Sequence, residues 1–370
     1  MIRVLYLTIN PNRQSTTVPT EGWLRLLPDR GLVPVLLSRT SGGFQQWARS
    51  QGVPTYENPL PFPDKRHPLP FLRALWFVRR IIRRHGIQII HCNEQDVYPL
   101  GQYAGRLCGL PVVVSVHFTM NRGFCEWAFG GERQPTRIFF ISHGNREACR
   151  PGVEGVIDER RWRLIYNGLD LERFVPDVGR RRSFRQRLGI EGCRVAGVAC
   201  ALRPRKQLEH LVEAASQVDD ASLRVVIAGG PVSGDEAYAD GLLQAARQRL
   251  GDRLIVLGHV DDLREFYNGL DIFVNTSQEE ACSISVMEAL ACGCPVLGYP
   301  SKSVDDQILP GGGDIVSQDD TAMLAATLRS WLADPERLAA RRLDARRRAE
   351  KMFDIRLLAN QLWREYEELV

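Results

Sequence analysis

Short apolar runs alternate with segments of helical apolar spacing along the entire chain. In the first half the runs are "IRVLYLTI", "LVPVLLS", "IQIIHC", "PVVVSVHF", "RIFFIS" and "RLIYNG". In the second half they are "CRVAGVAC", "LRVVIAGG", "RLIVLGH", "DIFVNTS" and "CPVLGY". Continuous apolar runs of this length, separated by helical segments, predict parallel strands covered by helices on both faces. The stretch "FVPDVGRRRSFRQRLGIEG", Phe174 to Gly192, combines prolines, glycines and arginines and reads as a linker followed by a charged helix. The expected class is therefore α/β, with two Rossmann-like doubly wound domains facing each other. The boundaries are 1–175 and 176–354, and a last helix at about 355–370 is expected to pack back onto the first domain. Ligands of such domains lie at the carboxyl ends of the strands, so the expected site is the cleft between those ends.

One segment breaks the apolar pattern. In "TSQEEACSISVMEALACGCPVLGYP", Thr276 to Pro300, a helix starts after Ser283 and stops at Gly293. Ile284, Met287, Glu288 and Ala291 share one of its faces, and Val286, Ala289 and Leu290 make most of the rest apolar. Glu288 is then expected to be buried or to line a cleft, where an ionised carboxylate costs several kcal/mol unless it is hydrogen-bonded. Either a basic side chain of the protein pairs with it, or a ligand does.

Composition narrows the class. A length of 370 residues suits two domains, and 44% apolar with 25% charged residues is ordinary for a globular enzyme. A formal net charge of +4 gives no reason to expect nucleic acid as a partner. The nine cysteines are scattered without paired zinc-type spacing, which favours buried thiols in a reducing cytoplasm. Cys292 and Cys294 read as small core residues. The opening "MIRVLYLTI" reads as a strand rather than a secretory signal, and no run reaches the roughly 20 apolar residues of a membrane span.

Candidate chemistry sits where strands end. After "CRVAGVAC" the loop "ALRPRK" places Arg203, Arg205 and Lys206 before a helix, where positive charge and free N–H groups suit a diphosphate. The alternative is three solvated basic residues on a turn. Gly229 and Gly230 follow the next strand and would let a ligand approach the backbone, although such turns use glycine commonly. Gly258, His259 and Val260 could receive a flat base through main-chain contacts, with no second ligand in view to make His259 a metal site. His117 ends "PVVVSVHF", where a structural and a functional role both stand, and Asn167–Gly168 reads as a turn closing the first domain's last strand.

Four blocks in order, "YNGLDLERFVP", "LRPRK", "LGHVDDL" and "EEACSISVMEALACGCPVLG", resemble the family 4 retaining glycosyltransferases of the GT-B fold. The resemblance runs over nearly the whole chain and is clearest from about residue 138. It implies a nucleotide-diphosphate sugar as donor substrate, no cofactor and no metal. It also implies roles: Glu288 for the ribose hydroxyls, Glu280 beside the donor sugar, and the amides of Ala281, Cys282, Ser283 and Ile284 for sugar and phosphates. Lys206 would neutralise the leaving diphosphate, and His117 would lie near the donor sugar and reaction centre. The chain departs from the family pattern at three places. Ala201 stands where an arginine is usual, with Arg203 or Arg205 as substitutes. The loop "NPNRQSTTVPTEGWLRLL" has only Gly22 where paired glycines are common, so Thr16, Thr17, Thr20 and Glu21 become acceptor-side candidates beside a plain polar loop. Asp305 and Asp306 stand where many members have a glutamate.

The segment "PFLRALWFVRRIIRRHG" puts Phe71, Leu75, Val78 and Ile82 on one helix face, with Trp76, Phe77 and four arginines around it. That pattern suits peripheral contact with an anionic membrane on its cytoplasmic side and a glycan or lipid-linked acceptor, and equally a sheet-covering helix with a solvated face. Competing functions are a dinucleotide oxidoreductase, for which "TINPNRQSTTVPTEGW" lacks the glycine fingerprint, a GT-B epimerase or phosphorylase, and a catalytically inactive sugar-nucleotide-binding protein, which Ala201 alone supports.

Overall fold

The computed structural model describes residues 1–13 and 16–370. Its contacts divide the chain into two compact units, residues 1–170 with 355–370, and residues 171–354.

The first unit is built on seven parallel strands: β1 (Ile2–Thr8), β2 (Leu32–Ser38), β3 (Thr55–Glu57), β4 (Ile89–Cys92), β5 (Val112–Val116), β6 (Arg137–Phe140) and β7 (Trp162–Leu164). Their order is β3-β2-β1-β4-β5-β6-β7. Both faces are covered by helices, which is why the central strands read as unbroken apolar runs. The order reverses direction between β1 and β4, and at such a switch point the flanking loops diverge and open a crevice.

The second unit repeats the plan with six strands: β8 (Arg194–Ala199), β9 (Leu223–Ala228), β10 (Leu254–Gly258), β11 (Ile272–Asn275), β12 (Val296–Gly298) and β13 (Gly313–Ile315). They pair in parallel in the order β10-β9-β8-β11-β12-β13, so the switch point lies between β8 and β11. The apolar runs predicted as strands each overlap one. β3 and β13 are additional, and the run "RLIYNG" stops pairing at Leu164.

The helix Ile355–Glu367 packs within the first unit. Its entry is so close to the turn after β7 that a Cβ on Gly168 would lie 2.4 Å from Ile355 Cδ1 and 2.9 Å from Ile355 Cα. Close approach of backbone to backbone, rather than turn geometry, therefore requires this glycine. The other end of the helix is held by a buried polar chain. Tyr366 bonds His91 Nδ1 through its hydroxyl and lies 3.0 Å from the Tyr6 hydroxyl, and His91 Nε2 is 2.9 Å from Ser115 Oγ. Burial lowers His91 to about 3, so it stays neutral. Tyr366→Phe removes one hydroxyl and leaves two fully buried groups short of a partner. It is expected to cost about 1–3 kcal/mol in urea unfolding, whereas a loss within error would show that the chain relaxes around the gap.

Candidate functional site

The second unit's switch point carries a charged pair. The loop after β8 makes a short turn, Pro204–Lys206, and Gln207 follows in the left-handed region at φ 46°. The loop after β11 lies alongside: Thr276 Oγ1 donates to the Lys206 carbonyl at 2.8 Å, and the Gln278 amide donates to the Arg205 carbonyl at 3.0 Å. This lacing brings Lys206 Nζ onto the Glu280 carboxylate, with both side chains only 11% exposed. A third loop, after β12, is tied to the same residue. Ser303 Oγ donates to the Glu280 carbonyl at 2.8 Å, and the Glu280 amide donates to the Ser301 carbonyl at 3.3 Å. Lys302 between them adopts φ 56° and pairs with Glu279. A non-glycine residue held there is strained, and such strain concentrates at functional loops.

Glu288 lies on the helix Ile284–Ala291 and is partly buried rather than enclosed. No basic residue forms an ion pair with it among the described residues; its Oε2 accepts a 2.8 Å hydrogen bond from Tyr267, whose ring is fully buried. Burial raises Glu288 to about 7, against the Tyr267 bond and the nearby charge of Arg173, which pull it down. Tyr267 gives no signal in the sequence, because a tyrosine inside "EFYNGL" reads as one more core aromatic.

The remaining candidates of this unit are placed as follows. Arg203 lies 3.3 Å from Asp235, and Arg205 donates to the Glu279 carbonyl at 3.1 Å, so both basic residues near Ala201 are engaged by the protein. The Ser283 amide donates to Gln307 at 2.9 Å, and the Ser283 hydroxyl makes no capping bond. The Ser283 amide, one of those expected to approach sugar and phosphates, is thus engaged by the protein in this structure. Ala281 and Ile284 are partly buried and Cys282 is buried. Gly229 has φ 135°, and a Cβ there would lie 1.8 Å from the Cys200 carbonyl oxygen, so glycine is obligatory for chain packing; Gly230 faces open space. His259 is 84% exposed and bonds Asp261 at 3.2 Å, beside the partly buried Val260. Asp305 Oδ1 is buried with no hydrogen-bond partner among the described residues.

In the first unit, His117 follows β5 directly and is 4% exposed. Burial lowers it to about 4, so the ring is neutral, and the Asn93 backbone holds it while Nε2 has no partner among the described residues. With the carbonyl bond at Nδ1–H, Nε2 keeps its lone pair and can accept a hydrogen bond from a hydroxyl. The threonines of the first loop turn inward. Thr16 Oγ1 accepts from Asn10 at 3.0 Å, Thr17 donates to the Asn12 carbonyl at 3.0 Å, and Thr20 donates to Asn93. Glu21 pairs with Arg13 at 2.7 Å. Two of these hydroxyls thus bond within the loop and the third bonds Asn93 after β4. Among the described residues no group of three or more His, Cys, Asp or Glu could hold a metal ion, and no helix is long and apolar enough to cross a membrane.

Two family models match in sequence order: "Glycosyltransferase Family 4" over residues 23–173 and "Glycosyl transferases group 1" over residues 180–352. The chain belongs to the family 4 glycosyltransferases. This family 4 chain is 34% identical over 195 residues to a D-inositol 3-phosphate glycosyltransferase of Geodermatophilus obscurus, covering 50% of this chain and 43% of that protein. It is 24% identical over 247 residues to the Escherichia coli UDP-Gal:alpha-D-GlcNAc-diphosphoundecaprenol alpha-1,3-galactosyltransferase, covering 61% of each. The matches thus span 43 to 61% of these relatives' own length. The crystal structure of Anabaena HepE in complex with UDP superposes over 100% of both chains with a TM-score of 0.87 at 18% identity, which establishes the GT-B fold for this family 4 chain.

Proposed function

We propose that the chain is a retaining glycosyltransferase that moves a sugar from a nucleotide-diphosphate sugar to the hydroxyl of a glycan or lipid-linked acceptor. The observation that carries this reading is the pair Lys206 and Glu280 at the β8/β11 switch point, with Glu288 one helix away. Lys206 offers a nearly desolvated cation to a leaving diphosphate. Glu280 offers acceptor oxygens to sugar hydroxyls, Glu288 to a ribose diol, and the neutral His117 a lone pair to a further hydroxyl. In the reaction the acceptor oxygen bonds the anomeric carbon on the face from which the diphosphate departs. The bond from that carbon to the phosphate oxygen breaks, and the acceptor's proton passes to the departing oxygen. Catalysis then consists of positioning and of stabilising leaving-group charge.

A lipid-linked acceptor is favoured by the helix Pro68–His85. Its buried residues are Phe71, Ala74, Val78, Ile81 and Ile82, while Leu69, Leu72 and Trp76 are more than half exposed. Five arginines and no acidic residue share that helix, and Arg80 lies over the Trp76 ring at 5.9 Å. Exposed apolar side chains among uncompensated positive charges complement an anionic lipid surface.

The test incubates the protein with UDP-, GDP- and ADP-sugars labelled in the sugar, together with vesicles of anionic phospholipid carrying an envelope lipid extract. Label is expected to pass from one donor class to the lipid, with the protein co-sedimenting at low salt. Nucleotide sugar that binds but keeps its label under all acceptors would instead support the non-catalytic reading that Ala201 raises. Label transferred only to soluble sugars would sink the lipid acceptor.

A further inference from the structure

The first unit's own switch point holds a carboxylate that the proposed chemistry does not use. Glu94 follows β4 and is completely buried. It accepts from Thr8 Oγ1 at 2.8 Å and the Ile9 amide at 3.1 Å, both at the end of β1. It also accepts from Asn10 Nδ2 at 3.1 Å and Asn93 Nδ2 at 3.0 Å. Burial pushes the proton affinity of Glu94 up, and all four neighbours are donors that oppose it by favouring the acceptor-only carboxylate form. No cation pairs with it among the described residues. A buried charge held by hydrogen bonds alone is costly, and such groups concentrate where geometry serves a site.

Its partners lead outward in two directions. Asn10 passes the contact to Thr16, and Asn93 receives Thr20 and donates to the Thr16 carbonyl at 3.0 Å, so the loop between β1 and the following helix is clamped at both ends. The Asn93 backbone, fixed between the Leu7 carbonyl and the Glu94 network, is also what holds the His117 ring. One carboxylate thereby sets the carboxyl ends of β1, β4 and β5 relative to one another.

We infer that Glu94 is a positioning residue: through Asn93 it fixes the tautomer and direction of His117, and through Thr8, Ile9 and Asn10 it fixes the loop after β1. The inference rests on the transferase reading for its kinetic consequence, though not for its structural one. Glutamine is the same size but turns one oxygen into a donor facing donors, so Glu94→Gln should loosen both connections at once.

The experiment compares wild type, Glu94→Gln, Thr8→Val, Thr8→Ser and, as a stability control in the second unit, Asp334→Ala, which removes the N-terminal cap of the helix Pro335–Met352. Imidazole 15N spectra of the histidine-labelled proteins and steady-state turnover of a nucleotide sugar are the readouts. In wild type His117 should show a single neutral tautomer protonated at Nδ1. Glu94→Gln and Thr8→Val should mix the tautomers and lower kcat about tenfold or more with donor KM within about twofold. Thr8→Ser, which keeps the donor, should match wild type, and Asp334→Ala should lose about 1 kcal/mol of stability with the His117 signal and kcat unchanged. A folded Glu94→Gln whose His117 signal and kcat match wild type overturns the inference. Should that variant not fold, the contrast between Thr8→Val and Thr8→Ser decides in its place. A wild type that turns over no nucleotide sugar defeats the transferase reading instead, and the His117 signal then judges Glu94 alone.

Discussion

Glu288→Ala is expected to weaken nucleotide-sugar binding by about 2–3 kcal/mol, roughly 30- to 150-fold in Kd, because two hydrogen bonds from a ribose diol to a charged acceptor are lost. Calorimetric titration at pH 8 measures it, and unchanged affinity would remove Glu288 from the donor site. The raised proton affinity of this group adds a pH signature. Its value of about 7 in the folded chain stands above the usual 4.5, so the folded protein holds the proton more tightly than the unfolded chain between those pH values. Stability from this group is therefore present at low pH and declines as pH rises through about 7. Binding runs the opposite way, since the diol donates best to the ionised form. Affinity for a nucleotide sugar, whose diphosphate diester does not titrate near neutrality, should rise with pH up to about 8 in wild type. In Glu288→Gln it should be weaker and flat, and this variant should be at least as stable as wild type at pH 8, since Tyr267 keeps an acceptor. A wild-type profile that is flat from pH 5.5 to 8.5 would contradict the assignment.

Lys206→Ala is expected to lower kcat by about 10²–10³-fold, the usual loss when one preorganised stabiliser of developing charge is removed. The loss should fall mainly on kcat, because the phosphate charge that the ammonium meets grows as the glycosidic bond breaks. Removing the cation also leaves Glu280 unpaired, so the double variant Lys206→Ala with Glu280→Gln separates that penalty from the catalytic one. If pairing alone mattered, the second change would restore the rate. Lys206→Arg should recover little, since a planar guanidinium does not reproduce an ammonium in a site this enclosed. A kcat within tenfold of wild type in the alanine variant would show that Lys206 serves only to hold Glu280.

The fold was readable because its signals are local. Each central strand is covered on both faces and so appears as an apolar run, and each covering helix shows its own spacing. β3 and β13 escaped for the same reason in reverse: each has three residues, and "TYE" is only partly buried while "GDI" hides in a glycine run. Three residues at the rim of a sheet need no apolar pattern. The loops that bear the candidate chemistry were equally readable, since a basic or acidic cluster after a strand is visible in the letters.

What the letters left open is which polar groups answer one another. Arg203, Arg205 and Lys206 look equivalent in "RPRK", yet Arg203 meets Asp235, Arg205 meets a carbonyl, and Lys206 alone reaches Glu280. Thr16 and Thr17 are bonded within their own loop and Thr20 to Asn93 across it, while Glu94, inconspicuous in "HCNEQD", gathers four donors. Apolar burial is nearly additive and directionless, so a one-dimensional pattern suffices to specify sheets, helices and domains. A hydrogen bond or ion pair depends on distance and angle between residues tens of positions apart. Lys206 and Glu280, or Glu94 and Thr8, acquire their meaning only where parallel strands bring their carboxyl ends together.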